Sequence, residues 1–354
     1  MKPYKNILVN ALVNLGDVVL TTGAVALLKK AYPDARITML VKPVVREAVE
    51  DNPVVDEVIV FGYKAKQNSL GKMLGMVREI KARRFDLSIS FDRKLRPALV
   101  AFFAGIPVRV GPSRVFDAKP SRVTWLYTKT VPITHDLEKN LQAETYQAIV
   151  RGVTGLPDEG LEKPVFSRIR SEHEAKAAQL LARLPQAEKR IALCVKGTFP
   201  LKTWPQEYFA EVVEGLERKY DAAFFVVGAP GDREYAAEVI AGMKTKKTVE
   251  NFCGDTGLRD LAALIQAADL FLTVDTGATH IAATTGTPLV TVYGCTSPDR
   301  WHPISENVRV FTAKEPCCPC SYPAEGCPSW PQPACLWNVR PHEVLEACIE
   351  MLGG

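Results

Sequence analysis

The sequence contains no apolar run long enough to span a bilayer, and a strand-like segment stands where a secretory signal would be. We therefore expect a cytoplasmic protein. Its nine cysteines are then expected to be reduced, because disulfides persist mainly in oxidising compartments. A chain of 354 residues is expected to form two domains.

Two familiar kinds of site are not supported by the motifs. The first predicted βαβ unit has no G-x-G-x-x-G sequence, so we predict no dinucleotide site there. Asp275-Thr276-Gly277 after an apolar strand is also found in aspartic proteases. Here the residues after Gly277 have helical spacing, and most of the chain alternates strands with helices. This pattern makes a protease improbable.

Charge is unevenly distributed along the chain. Residues 1–155 contain 24 Lys and Arg against 14 Asp and Glu, a net charge of +10, and the remainder has a net charge of −6. A basic N-terminal half indicates an anionic partner, such as a phosphorylated substrate, a membrane surface or nucleic acid. Because we see no base-stacking aromatic residues interleaved with the basic cluster that begins at Arg93, we do not expect nucleic acid.

The N-terminal half begins with a predicted βαβ unit. Asn6–Asn10 is a predicted strand, residues 14–17 a turn, residues 18–31 a helix and Arg36–Val41 the next strand. Asp17 has two interpretations of about equal weight. Its carboxylate either stabilises the first turn of the helix or serves as a catalytic base at the mouth of a cleft between the domains. Further predicted elements are strands at 54–61, 85–91 and 105–111, and helices at 67–82, 97–103 and 135–151.

Residues 152–170 have no periodic pattern, and the domain boundary is predicted between residues 166 and 167. A second alternation follows, with predicted strands at 191–195, 222–227 and 289–293, and helices at 171–184, 208–218, 232–243 and 258–267. The fold class is therefore α/β, with two doubly wound Rossmann-like domains, 1–166 and 167–354, facing a cleft.

The segment from Phe271 to Ala283 predicts a site. An apolar strand ends at Asp275, and helical spacing resumes at Thr279, with Thr276 and Gly277 in the turn. A helix N-terminus offers unpaired N–H groups and partial positive charge, so this turn is a natural phosphate seat. A capped βα turn without a ligand is the alternative.

Residues 317–335 form a cysteine-rich segment, followed by a predicted final helix at 341–351. Clustered thiols in a cytosolic protein suggest zinc, but the spacing is not that of paired C-x₂-C units. We favour buried thiols over a metal site. The candidate ligands, should a metal bind, are Cys317, Cys320, Cys327 and Cys335.

Three segments together resemble the heptosyltransferase family, ADP-heptose:lipopolysaccharide glycosyltransferases of glycosyltransferase family 9. They are residues 14–22 (NLGDVVLTT), residues 202–205 (KTWP) and residues 275–288 (DTGATHIAATTGTP). Their order and spacing fit nearly the whole chain. Gly23 and Asn10 depart from the family pattern, which leaves open the acceptor and donor sugars.

The resemblance implies a GT-B fold and inverting transfer of a heptose from ADP-heptose to a hydroxyl of the lipopolysaccharide inner core. It also implies that no metal or other cofactor is required. Asp17 is then the candidate base, and Lys202 neutralises the leaving diphosphate. The residues expected to bind the nucleotide sugar are Thr198, Asp275, Thr276, Gly277 and His280. The residues expected to bind the acceptor are Asn14, Gly16, Arg93, Lys94 and Arg96.

The expected partners are a sugar nucleotide, a phosphorylated glycolipid acceptor and the anionic inner-membrane surface, on which the protein is peripheral. Two alternatives are kept. One is a GT-B transferase or epimerase that uses another nucleotide sugar. The other is a non-catalytic nucleotide-sugar-binding protein.

Overall fold

A computed structural model describes residues 4–62, 69–91, 94–114, 120–320 and 324–353. The chain separates into two compact units, Met1–Arg168 and Ile169–Gly354. None of the helices in the described ranges combines the length and the apolar character needed to cross a bilayer.

The first unit is built on a six-stranded sheet whose strands are all parallel, in the order β3-β2-β1-β4-β5-β6. Helices α1 and α4 pack against each other, as do α2 and α3. The strands are β1 (Asn6–Ala11), β2 (Arg36–Val41), β3 (Glu57–Val60), β4 (Leu87–Ser90), β5 (Val108–Pro112) and β6 (Lys129–Val131). The helices are α1 (Leu15–Ala31), α2 (Ser69–Ala82), α3 (Leu95–Phe103) and α4 (Gln142–Thr154), with 3₁₀ turns at Pro43–Ala48 and Thr124–Leu126.

The second unit repeats this plan, with six parallel strands in the order β12-β11-β10-β7-β8-β9. Helices α6, α7 and α12 form one packed group, and α5, α8 and α9 form the other. The strands are β7 (Lys189–Cys194), β8 (Ala222–Val226), β9 (Glu250–Asn251), β10 (Leu270–Val274), β11 (Leu289–Tyr293) and β12 (Val308–Thr312). The helices are α5 (Ser171–Leu181), α6 (Gln206–Lys219), α7 (Arg233–Gly242), α8 (Leu258–Gln266), α9 (Gly277–Thr285), α10 (Pro298–Trp301), α11 (Ala334–Trp337) and α12 (Pro341–Met351).

The central strands of both sheets are buried and are mostly apolar, as expected when helices cover both faces. β10 and β11 are fully buried along their whole length. The largest fully buried side chain of the second unit is Trp204, whose ring packs edge-on against Tyr208 and Phe209. The predicted α/β class with two doubly wound units is confirmed.

Several predicted element bounds were wrong. α1 begins at Leu15 and not at residue 18, so Asp17 lies inside its first turn. α4 begins at Gln142 and not at His135, which lies in the preceding loop and whose Nε2 is 2.8 Å from Thr145 Oγ1. β3, β4 and β5 are shorter than predicted, and β6, β9 and β12 were not predicted. Short and partly exposed edge strands carry little periodic signal, which explains these omissions.

Candidate functional site

The carboxylate of Asp17 lies just past the carboxyl edge of the first sheet, in the first turn of α1. Tyr146 Oη, on α4, donates a 2.7 Å hydrogen bond to Asp17 Oδ1. The Tyr146 side chain is fully buried, and its ring centroid is 5.3 Å from that of Phe91. Since a buried ring cannot turn away, α4 holds the Asp17 carboxylate in one orientation.

Two of the predicted acceptor-binding residues tie loops together at this edge. Asn14 is exposed, and its Oδ1 accepts a 3.0 Å hydrogen bond from Lys42 Nζ. Lys94 follows β4, and its Nζ donates a 2.6 Å hydrogen bond to the carbonyl oxygen of Leu12, which follows β1. The loops after three neighbouring strands, β2, β1 and β4, are thereby linked beside Asp17.

The other predicted acceptor residues lie nearby in the chain. Gly16 is half-buried in the first turn of α1, and Arg96 is half-buried in the first turn of α3. Arg93 lies outside the described residues. The structure therefore places four of the five predicted residues at helix starts or loops that follow β1 and β4.

Asn10 and Gly23, the two positions noted above, both lie at close contacts within the first unit. Asn10 is fully buried, and its Nδ2 donates to Ser88 Oγ at 2.9 Å and Ser90 Oγ at 3.2 Å, which links β1 to β4. A Cβ at Gly23 would come within 2.6 Å of the carbonyl oxygen of Glu162. Glycine at position 23 lets the segment after α4 cross close to α1. Asn10 is buried and does not contact solvent.

The second unit has its polar centre at Asp275, the residue after β10. Its side chain is only 6% exposed. Asp275 Oδ2 lies 2.5 Å from Lys202 Nζ, and it also accepts a 2.5 Å hydrogen bond from Thr296 Oγ1, which follows β11. A buried carboxylate requires this kind of pairing, since an isolated buried charge is very costly. Asp275 therefore fixes the position of the lysine ammonium.

The N-terminus of α9 lies directly beside this pair. Thr276 is extended and Gly277 is the first helical residue, so the helix starts two residues earlier than predicted. Thr279 Oγ1 donates to the carbonyl oxygen of Val274 at 2.7 Å and accepts from the backbone N–H of Thr276 at 3.4 Å. Strand, turn and helix are thus tied together, with the first-turn N–H groups available to an anion.

His280 is also part of this turn, and it is buried. Burial lowers its pKa from 6.5 to about 4, although the nearby Asp275 carboxylate acts in the opposite direction. The imidazole is therefore neutral near pH 7. It acts as a polar packing residue behind the turn and not as a cation for phosphate.

Two glycines allow the loop that carries Lys202 to sit against the sheet. A Cβ at Gly197 would lie 2.4 Å from the carbonyl oxygen of Lys202, and a Cβ at Gly294 would lie 2.3 Å from that of Leu201. The backbone N–H of Cys295 donates to Leu201 O at 3.3 Å. Only glycine permits these close backbone approaches, so the Lys202 position depends on them.

Sequence reasoning missed Thr296 in this centre and Lys196 in the lining of the neighbouring cavity. Thr296 binds Asp275, as described above. Lys196, which follows β7, pairs with Asp232 at 3.2 Å between Nζ and Oδ1. Thr296 lies three residues after β11, and Lys196 lies two residues after β7. This position after a buried strand is the signal that could have identified them.

A cavity of about 490 Å³ adjoins the Lys202 loop. Thr198 is exposed on its wall, as is the ring of Phe199, whose centroid is 5.4 Å from Lys202 Nζ. Tyr235 and Trp330 also line this cavity. Thr198 is therefore next in the chain to a residue whose ring approaches the Lys202 ammonium.

In the described part of the cysteine-rich segment, no three His, Cys, Asp or Glu side chains are placed to share an ion. Cys317 is exposed, Cys320 and Cys327 are half-buried, and Cys335 is buried in the core of the second unit. Burial raises the pKa of the Cys335 thiol, and the nearby Cys318 thiol raises it further. The Cys335 thiol is therefore protonated near pH 7 and is a poor nucleophile in that form.

A model of glycosyltransferase family 9 (heptosyltransferase) matches residues 73–326, well over half of the chain. The matched range includes Lys202, Asp275 and His280. Asp17 lies before the start of this range. Among curated proteins, lipopolysaccharide heptosyltransferase 3 of Escherichia coli K12 is 26% identical over 304 residues, which are 84% of this chain and 85% of that protein. Lipopolysaccharide heptosyltransferase 2 of the same strain is 27% identical over 302 residues, with the same coverage.

Solved structures agree with this match. The structure of E. coli ADP-heptose lipopolysaccharide heptosyltransferase II has a TM-score of 0.79 and 25% identity, and the match covers 98% of each chain. A glycosyltransferase family 9 structure from Veillonella parvula has a TM-score of 0.83 and 25% identity, covering 99% of this chain and 98% of the other.

The chain has two doubly wound α/β units and matches glycosyltransferases over most of its length, so it is a glycosyltransferase of the GT-B type. The chain belongs to glycosyltransferase family 9, the heptosyltransferase family. The resemblance inferred from the three sequence segments is confirmed.

Proposed function

We propose that this chain transfers a heptose from ADP-heptose to a hydroxyl of the lipopolysaccharide inner core. The family match supports heptosyl transfer. The names of the two E. coli relatives support lipopolysaccharide as acceptor. The name of the matched structure, an ADP-heptose heptosyltransferase, supports the donor.

The observation that carries the proposal is the Lys202 ammonium fixed at the N-terminus of α9. When the anomeric C–O bond breaks, negative charge develops on the departing ADP. Lys202 Nζ and the first-turn N–H groups after Gly277 offer positive charge to that diphosphate without having to reorganise. Thr198 and Thr276 contribute hydroxyl groups beside it.

Asp275 has a positioning role in this proposal. Its carboxylate is held by Lys202 at 2.5 Å and by Thr296 at 2.5 Å. The negative charge opposes phosphate binding, but it prevents the flexible lysine chain from leaving the site. His280, which is neutral, adds no further charge to the turn.

Asp17 is proposed to accept the proton of the attacking acceptor hydroxyl. The carboxylate is oriented by Tyr146 Oη at 2.7 Å. The Tyr146 hydrogen bond and the helix N-terminus both favour the charged form of this carboxylate. The carboxylate therefore accepts the proton late in the reaction, when the attacking oxygen has become acidic. Asn14, Gly16, Lys94 and Arg96, with Arg93, are proposed to bind the phosphorylated acceptor.

In this mechanism the leaving-group charge is neutralised by protein groups, so we propose that transfer continues in a chelating buffer. We also propose a cytoplasmic protein bound peripherally to an anionic membrane surface, since residues 1–155 have a net charge of +10.

The test compares wild type with Asp17→Asn, using ADP-heptose and a de-acylated, phosphorylated lipid core. We expect ADP release that depends on acceptor, and a loss of about a thousandfold in kcat in the variant with ADP affinity retained. Transfer from a UDP- or GDP-sugar instead would favour another transferase or an epimerase. Nucleotide-sugar binding without turnover in either protein would favour a non-catalytic binding protein.

A further inference from the structure

The outer face of α3 and the adjoining 3₁₀ turn carry exposed apolar side chains that the proposed mechanism does not use. Phe102, Phe103 and Trp125 are 39%, 58% and 67% exposed, and Leu95, seven residues before Phe102 on the same helix, is 49% exposed. The Phe102 ring meets Phe103 at 5.4 Å and Trp125 at 6.3 Å, both edge-on. We call these four residues the aromatic surface.

This surface is built on a packed scaffold. Beneath it, Ala98 of α3 forms a buried cluster with Val123 and Leu126. Arg109 donates from Nε to the carbonyl oxygen of Leu126 at 2.8 Å, and its guanidinium carbon lies 5.2 Å from the centre of the Phe102 ring. Large apolar side chains held in solvent by a packed scaffold mark an interaction surface.

The chain around the aromatic surface is basic. Residues 93–134 contain eight Lys and Arg and one acidic residue, Asp117. Arg122 is exposed three residues before Trp125, and Arg96 follows Leu95 directly. The expectation that no base-stacking aromatic residues are interleaved with this basic cluster overlooked Phe102, which lies within it, and Trp125, which lies three residues after Arg122. Its partner should be both anionic and able to accept apolar side chains.

We propose that the aromatic surface docks on an anionic lipid bilayer. Trp125, Phe102 and Phe103 enter the headgroup region, and the neighbouring Arg and Lys side chains contact lipid phosphates. A second copy of the chain is disfavoured, since two such faces would bring like charges together. Single-stranded nucleic acid is disfavoured because the rings pack edge-on against one another and Arg109 lies over the Phe102 ring, which limits the faces free for stacking.

This inference deepens the membrane contact proposed above, but its test needs neither substrate. The full chain is mixed with vesicles of phosphatidylglycerol and phosphatidylcholine in equal parts, or of phosphatidylcholine alone, and bound protein is separated by flotation. We expect binding to the anionic vesicles that high salt weakens. Phe103→Ala with Trp125→Ala should reduce it at least about tenfold, and Arg122→Gln by a smaller factor.

Trp330→Ala is the matched control, because this tryptophan of the second unit is also 41% exposed, and we expect it to bind like wild type. Trp125→Phe, with brominated lipids, gives a second measurement that does not depend on loss of binding. It should still bind, but the quenching of tryptophan emission seen in wild type should decrease.

Equal vesicle binding by wild type and the double alanine variant would overturn the inference. So would absence of vesicle binding in wild type, or a dimer or a nucleic-acid complex that the double variant abolishes. Transfer to the de-acylated core is assayed in parallel. If the wild-type chain transfers the sugar but does not bind vesicles, only this inference is wrong. If it binds vesicles but does not transfer the sugar, only the proposed reaction is wrong.

Discussion

Tyr146 Oη donates a 2.7 Å hydrogen bond to Asp17 Oδ1, although the two residues are 129 positions apart in the chain. The bond joins the first turn of α1 to α4. Because Tyr146 is fully buried, packing within the first unit fixes the orientation of the proposed base.

Tyr146→Phe tests this positioning role. We expect kcat to fall about tenfold, the usual effect of losing a hydrogen bond to a charged group. The acidic limb of the kcat profile should also move to higher pH, since a carboxylate that loses a donor binds its proton more tightly. Tyr220→Phe, which removes a hydroxyl bonded to the carbonyl oxygen of Ile349, is the control. An unchanged pH profile with reduced stability would indicate a purely structural hydroxyl.

Lys202→Met should impair both chemistry and stability. We expect kcat to fall about a hundredfold and unfolding free energy to fall by about 3 kcal/mol, because the variant leaves the Asp275 carboxylate buried without its cation. Adding Asp275→Asn should restore part of the stability and none of the activity. Denaturant unfolding and steady-state kinetics measure the two effects, and exposed Lys244→Met is the control. If the double variant is less stable than Lys202→Met, the pairing argument fails.

His280 predicts how stability depends on pH. Burial lowers its pKa to about 4, against 6.5 for an unburied imidazole. The unfolded chain therefore binds more protons between those values, and stability is lost as pH falls through that window. The contribution of this residue is about 3 kcal/mol. Unfolding curves of wild type and His280→Gln at several pH values isolate it, because other titrating groups are common to both. His342 is exposed, so His342→Gln is the control and should keep the wild-type dependence of stability on pH. If His280→Gln also keeps that dependence, the prediction is wrong.

Gly294→Ala should displace the Lys202 loop. The new Cβ would lie 2.3 Å from the carbonyl oxygen of Leu201. We expect a loss of about 2 kcal/mol in stability and weaker binding of ADP, measured by calorimetry. Gly242→Ala is the matched control, since its Cβ would meet no atom of the described residues within 4 Å. Unchanged ADP affinity in Gly294→Ala would show that this glycine does not affect the nucleotide site.

Much of the second unit was predictable, because its strands are long apolar runs and Asp275-Thr276-Gly277 stands between a buried strand and a helix. The helix boundary of α9 was missed by two residues, since glycine has weak helix propensity and gave no start signal. α4 was predicted seven residues too early, because residues 135–141 contain polar residues compatible with a helix but fold as a loop that holds His135 beside Thr145.

The sequence by itself determined the family, the α/β class and the local chemistry of the turns, since these depend on residue order and on periodicity within short segments. The tertiary structure decided which distant groups meet: Tyr146 with Asp17, Lys202 with Asp275 and Thr296, and Phe102 with Trp125 and Arg109. Such contacts depend on how strands order within a sheet and how helices pack on it. Neither is encoded in the spacing of one segment.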